Sequence, residues 1–185
     1  MIEDQELETY ISISQFQIGI YLFDVKNLKN LYSQELKYNS KDEKVDLNIL
    51  NKFLEEHIFK IEKLFQKFIK DISLIILDSK SNNICFGVKK KIYNEKIDKK
   101  YLENLLRNAI DLFKENYQDQ KIMHMIIDKY LVDDVTYFSF QDNIKGENFS
   151  FELRFRSISN SFINKFEKIL EKFQIKINNY IDGDY

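Results

Sequence analysis

The sequence contains no proline, no tryptophan, four glycines and a single cysteine among its 185 residues. One cysteine excludes an internal disulfide and is typical of a protein in a reducing compartment, and we expect Cys85 to be a small buried side chain. No stretch reaches the roughly 18 apolar residues of a membrane span. The acidic opening MIEDQELE does not have the form of a secretory signal peptide. We therefore expect a cytoplasmic protein, or the cytoplasmic part of one.

Positive and negative side chains nearly balance along the chain. Lysine and arginine number 28 and aspartate and glutamate 30, which gives a net charge of −2 and a pI near 5.8. The best basic cluster, Lys89-Lys90-Lys91, is predicted to be a solvated strand end, because charge runs usually are solvated faces. Without a basic stripe, a nucleic-acid partner is not expected.

Motifs for catalysis and phosphate binding are also missing. The sequence holds no Walker loop and none of the patterns GxGxxG, GxSxG, CxxC and HExxH. His57 and His124 make no zinc site without further ligands, and each is predicted to be a packed residue of its element. Asp133-Asp134 are predicted to form a solvated turn rather than an acid pair. We predict no catalytic residue, no metal site and no enzyme activity.

The first 78 residues carry clear hydrophobic periodicity. A period of two predicts three consecutive antiparallel strands over residues 10–14, 16–22 and 31–38. Asp46 can then cap a long helix, and a short buried strand follows over residues 72–77. The helix has an apolar stripe at steps of three and four residues, which consists of Leu47, Leu50, Leu54, Ile58, Ile61, Leu64, Phe65 and Phe68.

A polar stretch over residues 78–83 marks a boundary, after which the pattern predicts strand, helix, strand and strand. The helix is capped by Asp98, and the strand after it, in residues 121–134, has apolar side chains on both faces. We expect that strand to be covered on both sides and interrupted at Asp128-Lys129. The sequence therefore predicts an inserted small domain over residues 79–147.

The last part of the chain is predicted to return to the first domain. Alternation over residues 149–156 indicates a strand, a helix begins at Ser159 or Asn160, and a final strand contains Ile175, Ile177 and Ile181. The predicted division is 1–78 and 148–185 for the main lobe, expected to be truncated, with 79–147 as the insert. This is a mixed α/β fold, in the order of an actin-like, ribonuclease-H-like lobe.

Several residues in this order resemble FtsA, the actin-like bacterial cell-division family. His124, Tyr130 and Asp133 match the family's His-x-x-Pro-x-x-Tyr-x-x-Asp segment, with Ile127 in place of proline. That segment closes a strand-helix-strand-strand insert in the family. Residues 45–47, Val-Asp-Leu, resemble the start of the family's first helix. The resemblance implies an N-terminal actin-like lobe with an inserted small domain.

The first turn departs from the family pattern. Residues 11–18 align with the family's first phosphate loop, in which an aspartate, a glycine and a threonine precede Ser-Lys. Ser12 replaces the carboxylate that would organise Mg²⁺, and Ser14 and Gln15 stand where the loop has its glycine and threonine. These three residues are the degenerate phosphate-loop positions. ATP is therefore implied only by the family, and no cofactor is expected in this chain.

The resemblance implies a cell-division scaffold that self-assembles into polymers and helps to anchor FtsZ at the division site. It would act at the cytoplasmic face of the inner membrane, with FtsZ and other divisome proteins as partners and with membrane binding through a C-terminal segment that this chain lacks. The alternatives are a related actin-like pilus-assembly adaptor, an active actin-like ATPase, and an α/β binding domain with another partner.

Overall fold

The computed structural model describes residues 6–38, 46–77, 81–93 and 96–184. The chain divides into two compact units, Met1–Lys80 with Ser161–Tyr185 and Ser81–Asn160. In chain order the elements are β1 (Leu7–Ile13), β2 (Gln17–Asp24), β3 (Lys29–Lys37), α1 (Leu47–Phe65), β4 (Asp71–Ile76), β5 (Asn82–Lys91), β6 (Lys96–Ile97), α2 (Lys99–Asn116), β7 (Gln120–Val132), β8 (Val135–Tyr137), β9 (Ile144–Lys145), β10 (Asn148–Ser159), α3 (Asn160–Glu171) and β11 (Lys176–Asp182).

The first unit is built on a five-stranded mixed sheet with the order β11-β4-β1-β2-β3. Strands β1, β2 and β3 are antiparallel neighbours, whereas β4 runs parallel to β1 and β11 parallel to β4. The short links between the first three strands permit only antiparallel pairing, and the helix before each later strand permits the parallel crossover. The predicted order of three hairpin-linked strands followed by helix-linked strands is confirmed.

Helix α1 packs its apolar stripe on β2 and β3. Its first turn is capped as predicted, since the Asp46 carboxylate accepts hydrogen bonds from the amides of Asn48 (2.8 Å) and Ile49 (3.2 Å). The predicted stripe is wrong at its end, because Leu64 is 65% exposed and Phe68, beyond the helix, is 82% exposed. The buried residues of α1 are Leu50, Phe53, Leu54, His57, Ile58 and Ile61.

The second unit has a four-stranded antiparallel sheet with the order β5-β10-β7-β8, and β6 and β9 form a separate two-stranded ladder. The amphipathic helix α2, which Asp98 caps through the amide of Tyr101 (2.7 Å), buries one side in the core of this unit. The core is rich in aromatic side chains, with Phe113 and Phe155 rings 4.8 Å apart. Such ring pairs add to the hydrophobic stabilisation of the unit.

The second boundary of the insert lies later in the chain than the predicted residue 147. Strand β10 was predicted to return to the first lobe, but it is the strand between β5 and β7 and pairs with both along most of its length. The second unit therefore runs to Asn160. A strand with one fully apolar face fits either sheet equally well, so the pattern alone did not decide which sheet it joins.

Two further predictions for this unit are corrected. Strand β7 is half-buried and is not interrupted at Asp128-Lys129, because Glu152 pairs with Lys129 and Leu153 with Ile127, which leaves Asp128 as a β-bulge in a continuous strand. Cys85 was expected to be buried and is exposed. The side chains around it in β5 alternate between exposed and half-buried, and the face opposite Cys85 is the one that packs against the core.

Candidate functional site at the first turn

The turn between β1 and β2, where the degenerate phosphate-loop positions lie, is held together by Ser14. The Ser14 hydroxyl oxygen accepts hydrogen bonds from the amides of Phe16 (3.0 Å) and Gln17 (2.8 Å), and the Ser14 amide donates to the Gln17 carbonyl (2.8 Å). Tyr38 donates its hydroxyl to the Ser14 carbonyl (2.7 Å). None of residues 14–16 has a positive φ, so this turn needs no glycine. Three of its amides are engaged within the turn.

Ser12 lies on the face of β1 that points away from α1. Its hydroxyl donates to the phenol oxygen of Tyr21 across the sheet at the long distance of 3.4 Å, and Tyr21 in turn donates to Glu35 (2.6 Å). Burial, followed by the hydrogen bond to Glu35, raises the pKa of Tyr21. A Cβ on Gly19 would lie 2.4 Å from the Tyr21 hydroxyl and 2.6 Å from the Ser12 hydroxyl. Gly19 is therefore required for Tyr21 to lie over the strand and reach Ser12.

Of the predicted positions, Ser12, Ser14 and Gln15 are thus brought together at one end of β1. Ser12 and Ser14 are buried and Gln15 is half-buried. The Ser14 hydroxyl forms hydrogen bonds within the turn, and the Ser12 hydroxyl contacts Tyr21 on the neighbouring strand. A local sequence signal for this role of Ser14 exists, since a serine hydroxyl at the start of a turn commonly accepts hydrogen bonds from amides two and three residues on.

The three family-motif residues of the second unit do not meet. Six residues of extended strand separate His124 from Tyr130, which corresponds to about 20 Å. Tyr130 is buried and its ring contacts Phe149 in the core. His124 lies opposite Arg156 in the ladder, on the other face of the sheet. Tyr130 is thus a core residue, and His124 is a half-buried residue of the strand.

Asp133 and Asp134 form the two-residue turn between β7 and β8, and both have positive φ, of 45° and 70°. Such a turn matches the twist of the two strands, and aspartate tolerates the left-handed conformation. The Asp133 carboxylate accepts hydrogen bonds from the amides of Asn148 (2.8 Å) and Glu147 (3.0 Å), which lowers the pKa of this group. Gly146 leaves room for this carboxylate, because a Cβ there would lie 2.7 Å from it. The predicted polar turn is confirmed, and Asp133 has a structural role in it.

Sequence reasoning missed two ion pairs on the face of the second sheet that points away from the core. Lys129 contacts Glu152 (2.9 Å), and Arg154 contacts Asp128. The bulge at Asp128 shifts this residue onto the face where Arg154 lies. These pairs are partly exposed, so they contribute little to stability and mainly fix the side chains of this face.

No group of three or more metal-ligating side chains occurs within residues 6–38, 46–77, 81–93 and 96–184. Within the same ranges, none of the helices is both long enough and apolar enough to cross a membrane.

Comparison with known proteins gives structural neighbours only. No family model and no curated protein matches the sequence. The PilM–PilN type IV pilus biogenesis complex matches with a TM-score of 0.54 at 6% identity, over 96% of this chain and 47% of the neighbour. The fold is actin-like. The chain spans about half of the length of the structures it matches.

Two other solved structures match less closely in shape. The cytoplasmic domain of EpsL, an inner-membrane component of the Vibrio cholerae type II secretion system, has a TM-score of 0.43 at 9% identity over 96% of this chain and 56% of that domain. A Bacteroides thetaiotaomicron protein with an actin-like ATPase fold has a TM-score of 0.34 at 13% identity, over 98% of this chain and 55% of that one.

Proposed function

We propose that this chain is a binding and assembly lobe of an actin-like adaptor in a bacterial envelope machine, and that it acts without hydrolysing ATP. The observation that supports this most directly is the closed β1–β2 turn. A phosphate loop needs amides that point at the ligand and a backbone that a phosphate can approach closely. In this turn, the amides of Phe16 and Gln17 already donate hydrogen bonds to the Ser14 hydroxyl oxygen. Ser12 stands where a carboxylate would be needed for the Mg²⁺ hydration shell. The residues of this turn therefore do not fit a nucleotide phosphate.

Thermal unfolding with and without Mg²⁺-ATP tests the nucleotide part of the proposal. A ligand that binds only the folded state raises the melting temperature as its concentration rises. We expect the melting temperature to stay unchanged up to millimolar Mg²⁺-ATP. A rise that follows the ATP concentration, and that Ser12→Asp strengthens, would favour the actin-like ATPase instead.

Among envelope machines, we favour pilus or secretion assembly. The fold likeness to the PilM–PilN pilus biogenesis complex supports this choice, because that complex is one in which a protein of this fold is bound to a partner protein. The adaptor would then act at the cytoplasmic face of the inner membrane and take a membrane protein of the assembly machine as its partner. Self-association of the lobe is part of the same proposal.

The cell-division scaffold is the second candidate. His124, Tyr130 and Asp133, in collinear order with the other matched segments, favour it. In that role the protein would help to anchor FtsZ at the division site and would bind other divisome proteins.

Direct binding separates the two candidates. The purified chain is immobilised and exposed to purified FtsZ, and separately to the cytoplasmic segment of the pilus or secretion membrane protein, both from the same genome. Saturable binding of the membrane-protein segment alone supports the assembly adaptor, and saturable binding of FtsZ alone supports the division scaffold. Binding of neither contradicts both candidates.

A further inference from the structure

A groove runs between α1 and α3 in the first unit, and its walls carry lysines from both helices. Lys52 projects from α1, Lys165 and Lys168 project from α3, and Lys172 lies in the turn that begins directly after α3. The step of three residues places Lys165 and Lys168 on the same side of α3. All four lysines are exposed, and the groove has a volume of about 590 Å³.

The charge of this groove is of one sign. None of its eight described lining residues carries a carboxylate, although acidic residues outnumber basic ones in the whole chain by 30 to 28. The carboxylate of Asp46, at the adjacent end of α1, is already engaged by the first-turn amides of that helix. Like charges this close to one another repel, and an acidic ligand would relieve the repulsion.

The groove also has apolar lining residues and a hydrogen bond between its two walls. Leu47 and Ile169 lie between the lysines. Lys172 donates a hydrogen bond to the side-chain oxygen of Asn51 (3.1 Å), which links the turn after α3 to α1. A site lined by both apolar and cationic groups favours a peptide segment, whose side chains can supply both kinds of contact.

The next stretch along α1 carries apolar side chains among charged ones, which are Glu55, Glu56, Lys60, Glu62 and Lys63. Phe59 of α1 is 66% exposed, and it lines a second depression with Ile58 and the half-buried Phe173. Lys52 and Phe59 are seven residues apart on α1, which corresponds to about 10 Å along the helix axis, or two turns. A single helical segment of a partner can therefore reach both the lysines and the phenylalanines.

We propose that the groove between α1 and α3 docks an acidic, amphipathic helical segment of a partner protein. Its carboxylates face Lys52, Lys165, Lys168 and Lys172, and an apolar side chain about two turns further on contacts Phe59 and Phe173. This proposal rests on the adaptor function proposed above and names the chemistry of the partner. Charged residues at the rim set the association rate and specificity, and the apolar anchor supplies the contact that excludes water.

The test uses the whole chain and a defined probe. The probe is a fluorescein-labelled, alanine-based peptide of about 15 residues, long enough to form a helix in part, with glutamates in its first half and leucines in its second. The control peptide has glutamine in place of each glutamate. Binding is measured by fluorescence anisotropy at low and high salt, and circular dichroism confirms that each variant is folded.

Two variants with matched controls locate the site. Lys165→Glu with Lys168→Glu is expected to weaken binding of the acidic peptide about tenfold or more, because attraction becomes repulsion. Lys89→Glu with Lys90→Glu, the same charge change on β5, is expected to leave it unchanged. Phe59→Ser is expected to weaken binding and Leu64→Ser is not, although Leu64 is equally exposed on the same helix.

Three outcomes of the peptide and vesicle experiments would overturn the proposal. In the first, the glutamine peptide binds as tightly as the acidic peptide. In the second, the β5 variant weakens binding as much as the Lys165→Glu, Lys168→Glu variant does. In the third, the peptide does not bind, and the chain binds through the groove to phosphatidylglycerol vesicles but not to phosphatidylcholine vesicles. The last result would assign the lysines to a membrane surface. If the membrane-protein segment still binds the Lys165→Glu, Lys168→Glu chain as tightly as the unaltered one, the groove proposal fails while the adaptor function stands. If the acidic peptide binds in the groove and neither that segment nor FtsZ binds, the adaptor function fails while the groove proposal stands.

Discussion

The hydroxyl oxygen of Tyr32 lies 2.7 Å from Nδ1 of His57, a buried imidazole on the inner face of α1. The Phe53 ring packs against the same imidazole, with 4.4 Å between ring centroids. A neutral Nδ1 accepts a hydrogen bond from the tyrosine, whereas a protonated imidazole has no acceptor to offer. The sequence predicted a packed helix residue at this position, and the structure adds its two partners, the Tyr32 hydroxyl and the Phe53 ring.

This pair predicts that the protein becomes less stable as the pH falls below about 6.5. Burial lowers the pKa of His57 below its ordinary value of 6.5, while the nearby charge of Glu56 acts in the opposite direction and that of Lys60 lowers the pKa further. The unfolded chain therefore binds the proton more readily, and stability is lost as the pH falls from the unfolded pKa through the folded one. Urea unfolding at about pH 7.5, 6.5 and 5.5 measures this loss.

Two variants isolate the contribution of His57. His57→Asn keeps a side-chain acceptor and cannot be protonated, so the free energy of unfolding should change less over this pH range than in the unaltered chain. Tyr32→Phe removes the donor and is expected to cost about 1 kcal/mol near pH 7.5. An unchanged pH dependence in His57→Asn would show that other groups cause it.

A second prediction concerns the closed turn. Ser14→Ala leaves the amides of Phe16 and Gln17 without their acceptor, and we expect it to cost about 1–2 kcal/mol in the free energy of unfolding. Ser12→Ala is the matched control, because its hydroxyl makes only a long contact to Tyr21. That variant should change stability by less than about 0.5 kcal/mol. Equal effects of the two substitutions would contradict the role given to Ser14.

Local patterns predicted most of the elements, because each depends on a few consecutive residues. Asp46 and Asp98 cap their helices as expected, and the three opening strands pair as predicted. The position of β10 could not be predicted in the same way, because its two pairing partners lie far away in the chain. For a strand of this kind, the pairing is determined by long-range contacts that no local pattern contains.

The candidate site was only partly predictable. The sequence showed that Ser12, Ser14 and Gln15 depart from a phosphate loop, but the hydrogen bonds that close the turn depend on backbone geometry. The prediction of a buried Cys85 was wrong because the usual burial of cysteine does not decide which face of a strand a given cysteine occupies. In β5 the half-buried Ile84, Phe86 and Val88 alternate with exposed residues, and that period alone places Cys85 on the exposed face.

The exposure of Cys85 predicts that its thiol reacts in the folded protein. We expect one equivalent of an aromatic disulfide reagent to react without denaturant, at a rate close to that of the same chain in urea. Cys85→Ser should abolish the reaction and should leave stability nearly unchanged, because an exposed side chain contributes little packing. Reaction only after unfolding would mean that the thiol is covered in solution.

The last prediction concerns the β7–β8 turn, in which the Asp133 carboxylate holds the amides of Glu147 and Asn148. Asp133→Ala removes both acceptors and places a residue that disfavours positive φ at 45°, so we expect the melting temperature of the second unit to fall by a few degrees. Asp133→Asn keeps one acceptor oxygen and tolerates this conformation, and its effect should be smaller.

Because the amides lower the pKa of Asp133, its contribution to stability is present above the ordinary value of 3.8 and is lost as the pH falls through the folded pKa. Hydrogen exchange at the amides of Glu147 and Asn148 provides the local measurement. Both should exchange faster in Asp133→Ala at neutral pH, and unchanged protection would contradict this role.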